Sequence, residues 1–343
     1  MGFIMRNVIL HALQTGDLGI DPRFDSLSEN FVDDPALILK DHVMPRLDMQ
    51  IEMLKKCNTG NIAASTLGLA QKPASLAMTT EDITGMGWFL LTDASLFNEL
   101  VVQSYQIAEE RISKLAKDQD MHIAACYVKR TDGKNYNVTS IFGPDGQICG
   151  EYRKSHIPPN EMWQIADGEY LNAIELDFGV VGTLICYDIM FPEAASVLAM
   201  SGAEIILHPT AGYGWYDSIG EATLRTRAND NSVYILTAKN FVYNSEGKSS
   251  LIDPWGQVLV DAGFYKNVIV SKEIDLDVPK TQPQWFYQSQ MSGYDEVKKR
   301  IPHERRPDLY AALTEPATRL RIPDEDERVV LRDRVRDGKC RWN

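Results

Sequence analysis

The sequence predicts an α/β fold in which two sheets pack face to face with helices on the outside. Strands and helices alternate along its 343 residues, and the segment TSIFGPDGQI at 139–148 resembles SSLIDPWGQV at 249–258. Both segments have a hydroxyl residue first, then an apolar pair, a Pro-x-Gly turn, a Gln and a β-branched end. Two related halves of this kind are expected to stack their sheets in layers. Ten residues around a common turn can also match by chance, so that alternative stays open.

Hydrophobic periodicity predicts the elements of the first half. An apolar run at 7–13 predicts a strand, and the polar, turn-rich residues at 14–34 predict an inserted loop. The pattern at 36–56 is helical, with Pro45 as the place for a kink or break, and 75–79 predicts a short strand. The clearest helix is predicted at 93–118, because apolar residues recur there at spacings of three and four.

The second half begins with a strand, HIAACYVKR, and continues with NVTSIFGPDGQICGEYRK, two strands around a Pro-Asp-Gly turn. An apolar run at 180–185 predicts a buried strand, with small breaks at Gly179 and Gly182. The remaining elements complete a second alternation, with helices predicted at 192–202 and 221–231 and strands at 204–210 and 232–240.

Composition and charge exclude several classes of protein. With 44% hydrophobic and 24% charged residues, the chain can bury one large core or two smaller ones without metals or disulfides. Its net charge of -13, with no long Lys/Arg run, argues against nucleic acid as a partner. No apolar stretch approaches ~18 residues and the N-terminus is too weak for a signal peptide, so we expect no membrane partner and a cytoplasmic location.

The cysteines predict a reducing compartment and no metal site. They are odd in number and widely spaced, with no CxxC pair and no Cys/His cluster of zinc type: Cys57, Cys126, Cys149, Cys186 and Cys340. Asn137-Val138-Thr139 matches the N-glycosylation triplet, and in a cytoplasmic chain we expect that match to be chance.

Cys186 is the first candidate for chemistry. In VGTLICYDIMFPE the apolar run ends at Cys186, and Pro192 is suited to the first turn of a following helix. Cys186 is therefore expected at a strand-to-helix elbow at the end of a sheet, where a nucleophile can reach a substrate. The alternative is a small buried hydrophobic residue, which is what most free cysteines are.

A working cysteine nucleophile needs a base for its proton or a cation beside its thiolate. Two groups of that kind occupy matching positions. In SLAMTTEDITGMG a strand ends near Glu81, and in GEYRKSHIPPNE a hairpin strand ends at Lys154. Three complementary groups at three strand ends predict a site at one sheet edge. Lone Glu and Lys residues are more often solvated surface groups, which is the alternative for each.

Four motifs together resemble the carbon-nitrogen hydrolase, or nitrilase, superfamily: GEYRKSHIP, GTLICYDIMFPEAA, LRTRANDN and RRPDLYAAL. The resemblance covers about 7 to 313. It implies a four-layer αββα sandwich and a Glu81, Lys154 and Cys186 triad. The glutamate motif departs from the family pattern, because Thr80 stands where the family usually has Pro.

The resemblance also implies the role of each residue. Glu81 would take the thiol proton and later activate water, Lys154 would stabilise the developing anion, and Cys186 would form a thioester. The backbone N–H of Tyr187 is the implied second oxyanion donor, and Glu161 matches a second glutamate that positions substrate or Lys154. No cofactor or metal is required. Aromatic residues beyond predicted strand ends are expected to line the pocket mouth, although any single one is more often a core or interface residue: Trp88, Trp163, Tyr213 and Trp215.

The domain prediction is one carbon-nitrogen hydrolase domain at 1–315, with the insertion at about 14–34, followed by a polar tail at 316–343. The resemblance implies a homodimer or a higher homo-oligomer, and we expect the tail to reach across the partner subunit.

Several alternatives accompany the leading function, an amidase acting on a small carboxamide or an N-carbamoyl amine. True nitrile-cleaving members usually carry Trp-Glu after the cysteine, whereas this chain has Tyr187-Asp188, as amidases and carbamoylases do. The same fold could also serve as an inactive binding scaffold, and His156 or His208 could suggest a Cys-His hydrolase. We assign Asp188 to hydrogen bonding at a helix end. Arg225, Arg227 and Asn231 of LRTRANDN could form an anion clamp, but at helical spacing we expect them to tie the helix to neighbouring loops.

Overall fold

The structure is a computed structural model that describes residues 6–16, 23, 31–57, 73–87, 93–158, 161–162, 164–212, 217–240, 248–277 and 305–314. Its strands are β1 (Asn7–Thr15), β2 (Ala74–Met78), β3 (His122–Thr131), β4 (Lys134–Phe142), β5 (Ile148–Arg153), β6 (Ile174–Leu176), β7 (Gly179–Thr183), β8 (Ile205–Thr210), β9 (Tyr234–Asn240), β10 (Ser250–Ile252), β11 (Val258–Asp261) and β12 (Val268–Asp275). Its α-helices are α1 (Pro35–Ile38), α2 (Met44–Cys57), α3 (Ala94–Gln119), α4 (Pro192–Met200) and α5 (Asp217–Asn231). A 3₁₀ helix spans Cys186–Met190, and two more span Pro307–Leu309 and Ala311–Thr314.

One continuous sheet connects the two halves of the chain. Its strand order is β5-β4-β3-β2-β1-β9-β8-β7-β6, with β12 antiparallel to β1 and β10 paired with β9 and β11. Strands β2, β9, β8 and β7 all run parallel to β1 through successive parallel pairs. Strand β5 runs the same way, because β2 is parallel to β3 and two antiparallel pairs follow. The carboxyl ends of these strands therefore point to one edge.

The packing forms four layers. The central core joins alternate residues of both halves, among them Leu76 and Met78 from β2 and Ile205 and Leu207 from β8. The intervening residues face outward, where Ala77 packs with α2 and α3, and Ile206 packs with α4 and α5. The period of two along each strand thus places one face against the opposite half-sheet and the other against helices. This arrangement confirms the predicted αββα layering, with one difference: the two half-sheets are joined through β1.

The two similar ten-residue segments form the same hairpin. In β4–β5 the register shifts between Ile141 and Phe142, and in β10–β11 it shifts between the equivalent Leu251 and Ile252. The turns repeat the same pair of backbone hydrogen bonds, each 2.8 or 2.9 Å long. Each turn has a glycine at positive φ, +83° at Gly146 and +75° at Gly256, a conformation that few other residues adopt. The two segments thus share one hairpin geometry, which is what the two-halves interpretation predicts.

The predicted helix at 93–118 is confirmed as α3. The Asp93 carboxylate caps it by accepting the backbone N–H groups of Ser95 and Leu96. Its apolar stripe, which includes Phe97 and Ile112, is buried. Among the helices in the described ranges, none has the length and apolar character needed to cross a membrane.

Several boundaries differ from the prediction; for example, β7 ends at Thr183 instead of 185. Gln14 and Thr15, assigned to an insertion at 14–34, belong to β1 and pair with Lys239 and Asn240 of β9, because a polar side chain does not prevent backbone pairing. No break occurs at Pro45. A π-helical turn at Leu39–Val43 precedes it and keeps the helix continuous, since the wider turn accommodates a residue without an N–H donor. Helix α5 begins at Asp217 instead of 221. The tail predicted at 316–343 lies outside the described residues.

Candidate active site

Strand direction brings the predicted residues to the same sheet edge. Glu81 follows the end of β2, Lys154 follows β5, and Cys186 follows β7. Since these three strands run in one direction, their carboxyl ends meet at that edge. The turn after β8, which begins at Ala211, lies there too.

Lys154 lies between two carboxylates in a buried cluster. Its Nζ is 2.9 Å from Glu81 Oε1 and 2.9 and 3.1 Å from the two carboxylate oxygens of Glu161. The side chains of Lys154 and Glu81 are fully buried, and that of Glu161 is 4% exposed. Burial opposes the charge on Lys154, but the Glu161 and Glu81 carboxylates raise its pKa well above the ordinary value. Lys154 is therefore a fixed ammonium group.

Glu161 responds differently to the same surroundings. Burial raises the pKa of Glu161 to about 7, with the Glu81 carboxylate acting in the same direction and the Lys154 ammonium opposing both. One ammonium cannot fully compensate two buried carboxylates. Near neutral pH, part of the protein therefore carries a proton on Glu161.

The Glu81 carboxylate accepts two further hydrogen bonds. Asn137 donates from Nδ2 to Oε1 over 3.1 Å, and the backbone N–H of Ala211 donates to Oε2 over 2.8 Å. The Glu81 carbonyl accepts from the side-chain amide of Asn240 at 3.3 Å. These donors come from β4, from the turn after β8 and from the end of β9, so the position of Glu81 is fixed by the assembled sheet.

Cys186 begins the 3₁₀ helix with a left-handed backbone, at φ +48°. Non-glycine residues rarely adopt this conformation, which is a form of strain common at functional turns. Burial, followed by the Glu81 carboxylate, raises the pKa of Cys186 to about 12, against opposing effects of Lys154 and a hydrogen bond from Thr210. Cys186 is thus a neutral thiol at rest, and it needs a base during attack.

Asp188 connects the cysteine turn to the loop that carries Lys154. Its buried carboxylate accepts hydrogen bonds from the backbone N–H groups of Ile185 and His156, at 2.9 Å each, and from the Tyr152 hydroxyl at 2.8 Å. The contact with Ile185 agrees with the predicted role at a helix end. The contacts with Tyr152 and His156 show a wider role, because they fix Cys186 relative to Lys154.

The segment before Glu81 has a polar anchor in place of the usual proline. The Gln50 side chain of α2 donates to the Thr80 hydroxyl, and Thr79 accepts the backbone N–H of Cys126 at 3.0 Å. Both threonines are fully buried. Hydrogen bonds to a helix and to β3 thus hold the chain where a proline would otherwise restrict it.

The family model for carbon-nitrogen hydrolases matches residues 98–283, more than half of the chain. The chain belongs to the carbon-nitrogen hydrolase family. Lys154, Glu161 and Cys186 lie inside the matched segment, whereas Glu81 precedes it. The sequence is also similar to the omega-amidase NIT2 of Mus musculus, with 30% identity over 59% of this chain and 74% of that protein. It is 33% identical to the hydrolase in the pqqF 5' region of Pseudomonas protegens, over 65% of this chain and 82% of that protein.

Solved structures of carbon-nitrogen hydrolases share the fold. The enzyme from Helicobacter pylori G27 superposes with a TM-score of 0.64 at 21% identity, covering 91% of this chain and 99% of that one. An amidase from Nesterenkonia sp. superposes with a TM-score of 0.62 at 19% identity, covering 90% of this chain and 95% of that one.

The carbon-nitrogen hydrolase fold of this chain does not support the Cys-His alternative. His208 donates from Nε2 to the Cys186 carbonyl oxygen at 3.2 Å, and burial lowers its pKa to about 4, so it is a neutral ring directed at the backbone. His156 contacts Asp188 through Nδ1 at 2.9 Å and stacks on Phe191. In these contacts both rings bond groups other than the Cys186 sulfur.

The remaining predictions have mixed outcomes. The Tyr187 backbone lies in the first turn of the 3₁₀ helix, and its side chain is 36% exposed. The predicted aromatic residues of the pocket mouth lie outside the described residues: Trp88, Trp163, Tyr213 and Trp215. In LRTRANDN, Arg225 donates to the Gly256 carbonyl at 2.7 Å, which confirms a contact with a neighbouring turn. Arg227 instead reaches the carbonyl of Met190 in the 3₁₀ helix at 3.5 Å, and Asn231 bonds the Arg227 carbonyl of its own helix at 2.9 Å.

Sequence reasoning missed Asn137, Thr210 and Ala211 as parts of the site. Ala211 acts through its backbone, which carries no residue-specific signal. For Asn137 the sequence does contain a pattern that could have found it. The polar residues Asn135, Asn137 and Thr139 recur at a period of two, and all three are buried in β4. A buried strand with polar residues on one face indicates that this face meets partners other than a hydrophobic core.

Proposed function

We propose that this chain is an amidase-type hydrolase that cleaves a small carboxamide or an N-carbamoyl amine through a thioester on Cys186. The proposal depends on one observation above all: Glu81 and Lys154 form a fully buried 2.9 Å contact at the sheet edge where Cys186 begins its turn. Burying two charges costs free energy, and a buried ion pair contributes little net stability to a fold. A functional role for the pair is therefore favoured. The amidases among the similar proteins support an amide as the substrate.

In the acylation step, Cys186 Sγ attacks the carbonyl carbon of the amide while Glu81 accepts the thiol proton. The carbonyl oxygen becomes an oxyanion, which the Lys154 ammonium and the Tyr187 N–H stabilise. The oxyanion then re-forms the carbonyl and the carbon–nitrogen bond breaks. Glu81 returns its proton to the nitrogen, so ammonia or an amine leaves and the thioester remains.

In the second step, Glu81 takes a proton from water as the water oxygen attacks the thioester carbon. The carbon–sulfur bond breaks, the proton passes to Cys186, and the carboxylic acid leaves. A neutral resting thiol suits this sequence, because Glu81 must be unprotonated before attack and protonated when nitrogen leaves. Glu161 holds Lys154 from the side opposite Glu81, and its proton balances the charge of the cluster.

The substrate pocket and the assembly complete the proposal. Tyr187 and the predicted aromatic residues would form an apolar pocket mouth: Trp88, Trp163, Tyr213 and Trp215. We further propose a homodimer, because large apolar side chains are exposed on and beside α4 and α5, with Met200 54% and Ile219 62% accessible. The tail at 316–343 is proposed to lie against the partner subunit.

Ammonia release from a panel of amides, carbamoyl amines and nitriles tests the activity. We expect turnover of amides by the wild type and none by Cys186→Ala, which should melt at nearly the same temperature because a turn thiol contributes little packing. Intact-mass analysis with a slow substrate should show an acyl adduct on Cys186. Full activity of Cys186→Ala would refute the mechanism, and turnover of nitriles alone would identify a nitrilase.

A further inference from the structure

Asn137 contacts both charged members of the proposed triad. It lies in β4 and is 3% exposed. Its side-chain Nδ2 donates to Glu81 Oε1 at 3.1 Å, and its backbone carbonyl accepts the N–H of Lys154 at 2.8 Å. One strand residue therefore sets the distance between the carboxylate and the base of the lysine side chain.

The orientation of the Asn137 amide follows from its neighbours. An ionised carboxylate only accepts hydrogen bonds, so the amide NH₂ must face Glu81. The amide oxygen then faces Cys126, whose Sγ donates to it at 3.4 Å. Burial, followed by the nearby Glu81 charge, raises the pKa of Cys126 well above its ordinary value, so Cys126 remains a thiol donor. Reversal of the amide would place two acceptor oxygens against each other at Glu81.

The hydrogen bonds distinguish the two oxygens of Glu81. Oε1 accepts from both Lys154 and Asn137, which uses the two acceptor positions of a carboxylate oxygen. Oε2 accepts from the Ala211 N–H, and within the described part of the chain this contact leaves one acceptor position on it. We infer that Asn137 is a positioning residue that occupies Oε1 and directs Oε2 to take the Cys186 proton. This inference rests on the proposed function of Glu81 as the base.

The main test compares Asn137→Ala with Asn137→Asp across pH. Without the donor, Asn137→Ala should lose about 10–100-fold in kcat at every pH, with little change in KM, because a hydrogen bond to a charged group near the reaction is lost. Asn137→Asp has nearly the same shape. Its introduced carboxyl can donate to Oε1 only when protonated, so we expect activity at low pH that falls as pH rises.

The pH signature depends on the charges around this position. Glu81 and Lys154 touch Asn137 directly, Cys126 is a neutral thiol, and Asp82 and Glu161 are further carboxylates of the same region. The carboxylates favour retention of a proton on the introduced group, and Lys154 opposes it. A merely structural role of Asn137 would lower the activity of both variants equally at all pH values.

Asn135→Ala is the matched control. Asn135 is a buried asparagine of the same strand that bonds Asn98 at 2.9 Å and Arg130 at 3.0 Å. Its loss should lower the melting temperature about as much as Asn137→Ala does, without the loss in kcat. If Asn137→Ala does not fold, the pH dependence of the near-isosteric Asn137→Asp alone tests the inference.

Alkylation of Cys186 by iodoacetamide separates this inference from the proposed function. Peptide mapping follows the rate at Cys186, with the exposed Cys149 as the internal reference. We expect about tenfold slower alkylation of Cys186 in Asn137→Ala and no change at Cys149, whether or not the wild type hydrolyses any amide. If wild type and Asn137→Ala have equal rates of Cys186 alkylation and equal kcat values, the positioning role of Asn137 is wrong, while the proposed function still stands. A wild type that hydrolyses no amide would overturn the proposed function alone.

Discussion

Glu81 and Glu161 both contact Lys154, and their glutamine variants should show which of the two is the general base and which only holds Lys154. Glu81 accepts from Lys154, Asn137 and Ala211, with donors on both of its oxygens. A glutamine there must direct its NH₂ at one of these donors. Glu161 accepts from Lys154 through both oxygens, so a glutamine can keep one contact through its carbonyl oxygen.

The magnitudes follow from this difference. Glu81→Gln removes a general base, an effect of about 10²–10⁴-fold in kcat, and leaves a buried donor without an acceptor, which costs about 1–3 kcal/mol of stability. Glu161→Gln should lose at least tenfold less activity, because the pKa of Glu161 is already about 7 and much of the protein carries it neutral at that pH.

The same residue predicts a pH dependence of stability. The pKa of Glu161 rises from 4.5 to about 7 on folding, so its contribution to stability is complete below 4.5 and is lost as pH rises through 7. The shift corresponds to at most about 3 kcal/mol. Urea unfolding of Glu161→Gln should therefore depend less on pH over that interval than unfolding of the wild type does.

Steady-state ammonia release over pH 5 to 9 and urea unfolding of the same preparations measure both effects. Wild type and Cys186→Ala provide the upper and lower limits of activity. If Glu81→Gln kept its activity while Glu161→Gln lost it, the assignment of the base would be wrong. A Glu161→Gln unfolding profile with the wild-type pH dependence would contradict the explanation of the raised pKa.

Three further predictions concern the lysine, the assembly and the substrate. Lys154→Ala should lose activity by orders of magnitude and be destabilised by about 3–5 kcal/mol, since two buried carboxylates lose their ammonium partner. The double variant Lys154→Ala/Glu81→Gln should lose little more activity than either single variant, because the two residues act together. Additive losses would refute this joint action. Light scattering should give a dimer or larger assembly at micromolar concentration, and a monomer would contradict the proposed interface. Neutral or aromatic amides should have higher kcat/KM than N-carbamoyl amino acids, because Ile189 and Met190, which follow Asp188, offer no positive charge to a substrate carboxylate. A clear preference for carbamoyl amino acids would refute this.

Much of the fold was predictable from local pattern. Helix α3 agrees with the prediction within one residue at each end, because a long amphipathic stripe and an Asp cap specify a helix without tertiary information. The paired hairpins were predictable for a similar reason, since turn residues and bulges are local features. Gln14 and Thr15 were not, because their assignment to β1 depends on β9, far away in the chain.

The candidate site likewise has features that the sequence predicts and features that only the tertiary structure determines. Cys186, Lys154 and Glu81 were predicted as site residues because each stands at the end of a predicted strand, in a motif with a distinctive residue type. Only the tertiary structure decided that Lys154 lies between Glu81 and Glu161, that Ala211 donates its backbone N–H, and that Asp188 joins the cysteine turn to the lysine loop. A hydrogen bond between strand ends depends on distance in space, and residues such as Asn137 and Glu81, 56 positions apart, acquire that distance only when the sheet is assembled.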